Sequence, residues 1–355
     1  MKIINRIFKC FTIIIIAIIC SSIPKVSVNA SNEQSCYVVI EKTTGRVLFE
    51  HNSSKKAYMA STTKILTAIC VIENFDIKQH ITITKESIGV EGSSVYLAEG
   101  EIYTVEDLLY GLMLRSGNDC AETLAISLSG SIENFATIMN STARKAGANQ
   151  SNFVNPHGLH DDNHYTTAYD LALITRYALN NSTFAKISSC KSYTATEIIS
   201  NTKRNWVNKN KMLSTYDGAT GVKTGFTKKA GRCLVSSAKR DNLELICVVL
   251  NEQNHYGVTK SLLDDAFSKF SLVKLIDASK FDYSLPNKDK SKYYKLKIEK
   301  DFIYPISTDE KIEIQIDLPK YLKSKPSNGQ KVGEIKIYSS KQLIFSQNIY
   351  TLIND

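Results

Sequence analysis

Several things that would have pointed elsewhere are missing from this sequence. Its eight cysteines include no Cys-x-x-Cys pair. The six beyond the N-terminus, at positions 36, 70, 120, 190, 233 and 247, are widely scattered. Neither a zinc knuckle nor a compact disulfide scaffold is therefore indicated. Cys70 and Cys247 sit inside apolar runs and read as small buried hydrophobes. There is no His-Glu-x-x-His helix. His157, His160, Asp161, Asp162 and His164 fall close together, but loops rich in Asn, Asp and His more often build turns than metal centres, and no metal is expected. No basic stripe with interleaved aromatics is present, which argues against nucleic acid as a partner. The one tryptophan, Trp206, reads as packing. Past residue 30 no apolar run approaches the ~20 residues that a bilayer span needs, and no internal repeat is visible.

What is present begins with a leader. Lys2, Arg6 and Lys9 precede an apolar block over 10–20, and Val28-Asn29-Ala30 offers cleavage after Ala30. This is the pattern of a secretory signal peptide over 1–30, with an uncleaved anchor helix as the alternative. The protein is expected outside the cytoplasm, in the cell wall or on the outer face of the cytoplasmic membrane, with at most peripheral membrane association. The formal charge is +9, and the first thirty residues hold four basic and no acidic side chains, so residues 31–355 carry +5. That mild excess suits an anionic surface such as a cell wall. At 355 residues, 43% hydrophobic and 22% charged, the composition is that of a globular protein with room for two domains.

The pattern of elements is α+β. Short β-rich runs over 36–41 and 46–50 flank Thr43-Thr44-Gly45 and predict a hairpin. A mainly helical block follows, starting with an apolar helix over 61–74. Strands are predicted again over 221–225, 233–238 and 243–250, then an amphipathic helix over 258–276. One sheet is thus built from both ends of a first domain, over 31–279, with helices inserted between them. Residues 280–292, polar and containing Pro286, read as a linker. Beyond them Ile312, Ile314, Ile316 and Leu318 alternate, predicting a small all-β domain over 293–355.

Ser61 and Lys64 open the apolar helix three residues apart, so they share a face. A serine hydroxyl needs a base to become a nucleophile, and a lysine amine can serve if burial or a nearby cation lowers its pKa. Ser-x-x-Lys occurs seven times in the chain, so the pattern alone does not choose among the copies. Ser116-Gly117-Asn118 follows a helix whose start is signalled by Thr104 and Asp107; Ser-x-Asn recurs at Ser27 and Ser346. Lys223-Thr224-Gly225 occurs once. It ends a predicted strand, where Gly225 would let a substrate backbone approach closely. One choice alone gives Ser-x-x-Lys on an apolar helix, then Ser-x-Asn after a helix, then Lys-Thr-Gly on a strand.

That ordered trio resembles the class A β-lactamases and penicillin-binding proteins. The Ser-Gly-Asn-Asp form of the middle motif, with Phe153-Val-Asn-Pro-His-Gly-Leu159 and His164-Tyr-Thr-Thr-Ala-Tyr-Asp170, is more closely similar to the low-molecular-weight serine D-alanyl-D-alanine carboxypeptidases, over about residues 33–275. The resemblance implies a β-lactamase/transpeptidase-like domain, an antiparallel sheet with a helical insertion, followed by a small all-β domain. It implies no cofactor, a peptidoglycan stem peptide ending in D-Ala-D-Ala as substrate, a place in cell-wall biogenesis, and β-lactam antibiotics as covalent inhibitors. By the same resemblance Ser61 is the nucleophile, Lys64 its base and Ser116 a proton relay. Asn118 holds the substrate amide, Lys223 and Thr224, with Gly225 beside them, bind the terminal carboxylate, and the N–H groups of Ser61 and Phe226 form the oxyanion hole. One branch of the family has His where this chain has Phe226, so no side-chain chemistry carries over there. The same branch has an Arg in a preceding loop, for which Lys209 and Lys211 are both candidates. Two other readings stand beside this one. A class A-like β-lactamase would need a glutamate such as Glu197, which lies only 26 residues before Lys223. A non-catalytic cell-wall-binding protein is opposed by the intact motifs.

Overall fold

The computed structural model describes residues 34–353 and the backbone of Thr12–Ile14. Apart from those three residues, the leader expected over 1–30 lies outside the described residues. The chain divides into two units, one of Val26–Ser268 and one of Lys269–Asp355 together with Met1–Lys25.

The first unit is built on a five-stranded antiparallel sheet. Its strands are β1 (Cys36–Glu41), β2 (Val47–His51), β3 (Ala219–Thr227), β4 (Gly231–Arg240) and β5 (Leu243–Leu250). Their order is β2-β1-β5-β4-β3, so the two ends of the unit meet at β1 and β5. Val38 pairs with Val248 and Ile40 with Ile246. β5 is apolar on both faces and all but one of its residues are buried, as a central covered strand requires. β3, which carries Lys223-Thr224-Gly225, is an edge strand.

The helical insertion supplies α1 (Lys64–Asn74), α2 (Val105–Tyr110), α3 (Asn118–Ser129), α4 (Ile132–Lys145), α5 (Ala168–Leu179) and α6 (Ser182–Ser189). Every residue of α1 from Lys64 to Val71 is buried, which places this helix at the centre of the unit. Its apolar composition all round suits that position. The helix starts follow local chemistry. Thr104 accepts from the Asp107 N–H at 3.0 Å, and Asp107 accepts from the Thr104 N–H at 3.2 Å, a reciprocal capping box. Ser131 caps α4 and Thr167 caps α5 in the same Ser/Thr fashion. α6 and the hairpin of Ser192–Thr196 with Lys203–Val207 were not expected from sequence.

The boundary between the units differs from the sequence expectation. The helix predicted over 258–276 ends at Lys269, and Phe270–Ile276 is a strand paired with Phe302–Ser307. A short apolar run satisfies a helical and a strand period about equally well. Residues 280–292 are not a linker either. Ser284–Pro286 pairs with Tyr293–Lys297, and Leu285 and Tyr294 enter the second core with Leu296, Ile335, Ile337 and Ile349. The polar composition belongs to the exposed side of an edge strand and its turn. The rest of this unit follows the predicted alternation, with Ile312–Asp317, Lys331–Ser339 and Gln342–Leu352 as consecutive antiparallel strands. Thr12–Ile14 pairs antiparallel along Ile312–Asp317. Among the described residues no helix is long and apolar enough to cross a membrane.

Ile246 is fully buried at the sheet centre. Its truncation in Ile246→Ala is expected to lower unfolding free energy by about 2–5 kcal/mol, and Ile246→Val by about 0.5–1.5 kcal/mol. Urea titration followed by fluorescence of the buried Trp206 in the same unit measures both.

Candidate active site

Ser61 sits in a 3-10 turn, Ala60–Thr63, that runs directly into α1. Ala60 has φ +49°, a left-handed conformation uncommon for a residue with a side chain. The surroundings hold it there. Thr62 donates its hydroxyl to the Met59 carbonyl at 2.6 Å, and Thr63 donates to the Ala60 carbonyl at 2.8 Å. Having given away its one hydrogen, the Thr63 oxygen can only accept from His164 Nε2, 2.8 Å away. His164 Nδ1 in turn accepts from the Val154 N–H at 3.1 Å. Both ring nitrogens are thus satisfied in a single neutral tautomer. Burial holds the ring neutral, with its pKa pushed down to about 3. Gly158 closes the turn from the other side. It has φ +86°, and a Cβ there would collide with the Ala60 carbonyl.

Lys64 is completely buried, and its Nζ has three partners: Ser61 Oγ at 3.1 Å, Asn118 Oδ1 at 2.7 Å and the His157 carbonyl at 2.6 Å. The last two can only accept. A neutral amine therefore directs both of its hydrogens at them and turns its lone pair to the Ser61 hydroxyl. Burial drives the Lys64 pKa well below the usual lysine range, and the charge of Lys223 adds to the effect.

Asn118 arrives by an unusual route. α2 continues into a π turn, Gly111–Arg115, and Ser116 then reverses the chain at φ +66°. π turns often accompany functional sites. The Ser116 hydroxyl, nearly buried, has no hydrogen-bond partner among the described residues. Asn118 is gripped by the preceding loop: its N–H donates to the Ser93 carbonyl at 2.7 Å and its Nδ2 to the Glu91 carbonyl at 2.5 Å. The Nδ2 bond fixes which way the amide points, leaving Oδ1 for Lys64.

β3 lies against the Ser61 turn. A Cβ on Gly225 would come within 2.9 Å of the Met59 carbonyl and 3.1 Å of the Ser61 nitrogen, so only glycine lets the edge strand approach this closely. Lys223, two residues earlier, is buried, with its pKa pushed down to about 7 by burial and then by the charge of Lys209. The Phe226 ring is 59% exposed, with the Arg232 guanidinium 5.6 Å from its centroid. Ser61, Lys64, Asn118, Lys223 and Gly225 thus converge from three distant segments, and Ser116, Thr224 and Phe226 belong to the same segments.

The chain matches the family model of the D-alanyl-D-alanine carboxypeptidases over residues 24–254, and that of the penicillin-binding protein 5 C-terminal domain over 270–354. It belongs to the D-alanyl-D-alanine carboxypeptidase family. It is 34% identical over 250 residues to D-alanyl-D-alanine carboxypeptidase DacF of Bacillus subtilis, covering 68% of this chain and 64% of that protein. The matched region likewise spans 64% of D-alanyl-D-alanine carboxypeptidase DacA of Haemophilus influenzae, just under two thirds of either relative. The crystal structure of penicillin binding protein 5 from Haemophilus influenzae superposes with a TM-score of 0.77 at 27% identity, over 94% of this chain and 99% of that one. That of D-alanyl-D-alanine carboxypeptidase DacD from Francisella tularensis gives 0.75 at 25%, over 96% and 97%. The fold is the α+β arrangement expected from the resemblance, with an all-β unit after the first domain.

Within this family frame, side chains that the sequence reading left open find their places. Of Lys209 and Lys211, it is Lys209 that borders the site. Its Nζ lies 3.4 Å from Ser93 Oγ, and its charge lowers the pKa of both Lys64 and Lys223. The Lys211 N–H is engaged with the Tyr256 hydroxyl at 3.2 Å. Glu197 serves the fold: it accepts from the Ser200 N–H at 2.5 Å and the Ile102 N–H at 2.8 Å. Those donors, Ser200 first, hold its pKa down at about 2. His157 Nδ1 accepts from the Leu159 N–H at 3.1 Å, and Nε2 faces Glu122 Oε1 at 3.2 Å, a fixed tautomer like that of His164.

Sequence reasoning assigned no role to Asp119, beyond its place in the Ser-Gly-Asn-Asp motif, and none to Arg204. Asp119 accepts from the Ser94 hydroxyl at 2.6 Å and from the N–H groups of Val95 and Leu97, both at 3.1 Å. Arg204 donates to the carbonyls of Val95 at 2.8 Å and Tyr96 at 2.7 Å. Together they pin the loop that positions Asn118. The only sequence signal was an Asp after Asn118, which also reads as an ordinary helix start.

Gly158→Ala is expected to destabilise the protein by more than about 1 kcal/mol, since it adds an unfavourable φ to a clash with the turn. A thermal or urea melt measures this.

Proposed function

We propose that this chain is a serine D-Ala-D-Ala carboxypeptidase. It removes the terminal D-alanine from peptidoglycan stem peptides through an acyl-enzyme on Ser61, and β-lactams acylate the same oxygen. The observation that carries the reading is the buried Lys64 Nζ, 3.1 Å from Ser61 Oγ, with Asn118 Oδ1 and the His157 carbonyl as its other two partners at 2.7 and 2.6 Å.

Lys64 takes the Ser61 proton as Oγ attacks the carbonyl between the two D-alanines. Charge develops on the carbonyl oxygen, between the N–H groups of Ser61 and Phe226. The new ammonium on Lys64 returns its proton through the free Ser116 hydroxyl to the departing D-alanine amine, and the C–N bond breaks. Asn118 steadies Lys64 and meets the substrate amide. Lys223 and Thr224 hold the terminal carboxylate, which an exopeptidase must recognise, and Gly225 keeps the strand edge open to the substrate backbone. Water then attacks the acyl carbonyl and gives a proton to Lys64; the Oγ–C bond breaks as Lys64 passes that proton to Ser61 Oγ, and both groups are restored. No cofactor takes part. The protein is exported by its leader and works on the wall side of the membrane. The substrate assignment draws on the family, and the catalytic unit is the one that ends at Ser268.

Ser61→Ala should lose covalent labelling by a fluorescent penicillin and lower D-alanine release from a stem pentapeptide by a factor of about 10³ or more. Equal labelling of the two proteins would sink the proposal, and rapid nitrocefin turnover would favour a β-lactamase.

The lysine pair also sets a pH dependence. Free Lys223 loses its charge as pH rises through about 7, so kcat/KM should fall on that side, and Lys223→Arg should move the limb upward. The stability sign is opposite. Between about 7 and the ordinary lysine value of 10.5 the unfolded chain binds more protons than the folded one, so this group makes stability rise with pH. Urea unfolding at pH 7 and pH 10 should show that rise in wild type and a smaller one in Lys223→Met.

A further inference from the structure

The β-rich unit carries a concentration of charge for which the peptidase chemistry has no use. The turn over 287–292 holds Lys288, Lys290 and Lys292, and the loop over 319–325 holds Lys320, Lys323 and Lys325. The fold brings the two together. Asn287 and Leu322 form a parallel bridge, and the Leu322 N–H donates to the Pro286 carbonyl at 2.8 Å. These thirteen residues contain six lysines and one carboxylate, Asp289, for a formal +5. That equals the whole net charge of residues 31–355, so the remainder is neutral.

All six lysines are exposed, and among the described residues none has a carboxylate within 4.0 Å. Elsewhere in the same unit Lys274, Lys280 and Lys336 reach carboxylates at 2.7, 3.5 and 3.1 Å. Asp289, whose charge is already counted in the +5, directs its carboxylate to the N–H and hydroxyl of Ser291. The type of cation is informative too. Lysine is a compact, strongly hydrated point charge that acts without the planar bidentate geometry of arginine, and no arginine is present here, so the patch recognises charge density and not one fixed ligand geometry. Insertion into a bilayer would need apolar side chains, and a bilayer held by charge alone would meet the lysines as a flat surface. The turn and loop expose no Leu, Ile, Phe or Trp, and Leu322 is buried in the core. Tyr321 and the adjacent Tyr293 are the exposed aromatics. A flexible chain can follow a turn and a neighbouring loop that a flat surface meets only at their tips.

We propose that this end of the β-rich unit binds a linear phosphate polyanion, a chain of phosphates or phosphodiesters, and so holds the enzyme against an anionic polymer. Binding is electrostatic and weakens with salt.

The test uses the full chain and long-chain inorganic polyphosphate as the probe, in a salt series. The quadruple variant Lys288→Gln, Lys290→Gln, Lys323→Gln, Lys325→Gln should bind at least about tenfold more weakly and with a shallower salt dependence. Its D-alanine release from a soluble pentapeptide should equal wild type. The control is Lys311→Gln with Lys341→Gln, at the opposite end of the same strands, where the Ser340 N–H meets the Lys311 carbonyl; it should bind as wild type does. The same loss per lysine in control and patch variants would reduce the effect to net charge and overturn the site. So would absence of salt-dependent binding, or tighter binding to phosphatidylglycerol vesicles than to polyphosphate.

Discussion

An amine stripped of water is the constraint on which the rest of this molecule depends. Lys64 lies inside the core, where a charged ammonium is costly, and its two acceptor partners come from segments far away in sequence. Each of those segments is itself held: Asn118 by the loop that Asp119 and Arg204 pin, and His157 by the wiring of its own ring. The architecture of the first unit can be understood as what is needed to bring these supports to one point. The turn into the central helix carries the serine and the helix start carries the lysine, the insertion supplies the Asn, and the edge strand supplies a second buried lysine.

The two lysines act on one another in a useful way. Both are desolvated, and the charge of Lys223 lowers the proton affinity of Lys64. On the proposed reading, one amine then serves as a base while the other keeps a proton for an anionic ligand. Two like groups are given different tasks by their neighbours rather than by their chemistry.

Much of this was legible from sequence. The strands of the first sheet, the apolar helix and the three motifs are local patterns, and each carries its signal in a few adjacent residues. The lowered proton affinity of Lys64 is not local: it depends on burial and on Lys223, which is distant in sequence. The roles of Asp119 and Arg204 escaped notice because their partners are main-chain groups, which leave no mark in the residue types. The boundary near residue 269 was misplaced for another reason. Phe270 to Ile276 satisfies either period, and only its pairing with Phe302–Ser307 decides. The same holds for the stretch around Pro286, whose polar face conceals Leu285 in the core.

The imidazole of His164 has a consequence for where such an enzyme can operate. With a pKa near 3, it is the same neutral donor in a mildly acidic exterior as at neutrality. Its hydrogen bonds to Thr63 and Val154 therefore persist, at this ring, when the surroundings acidify mildly.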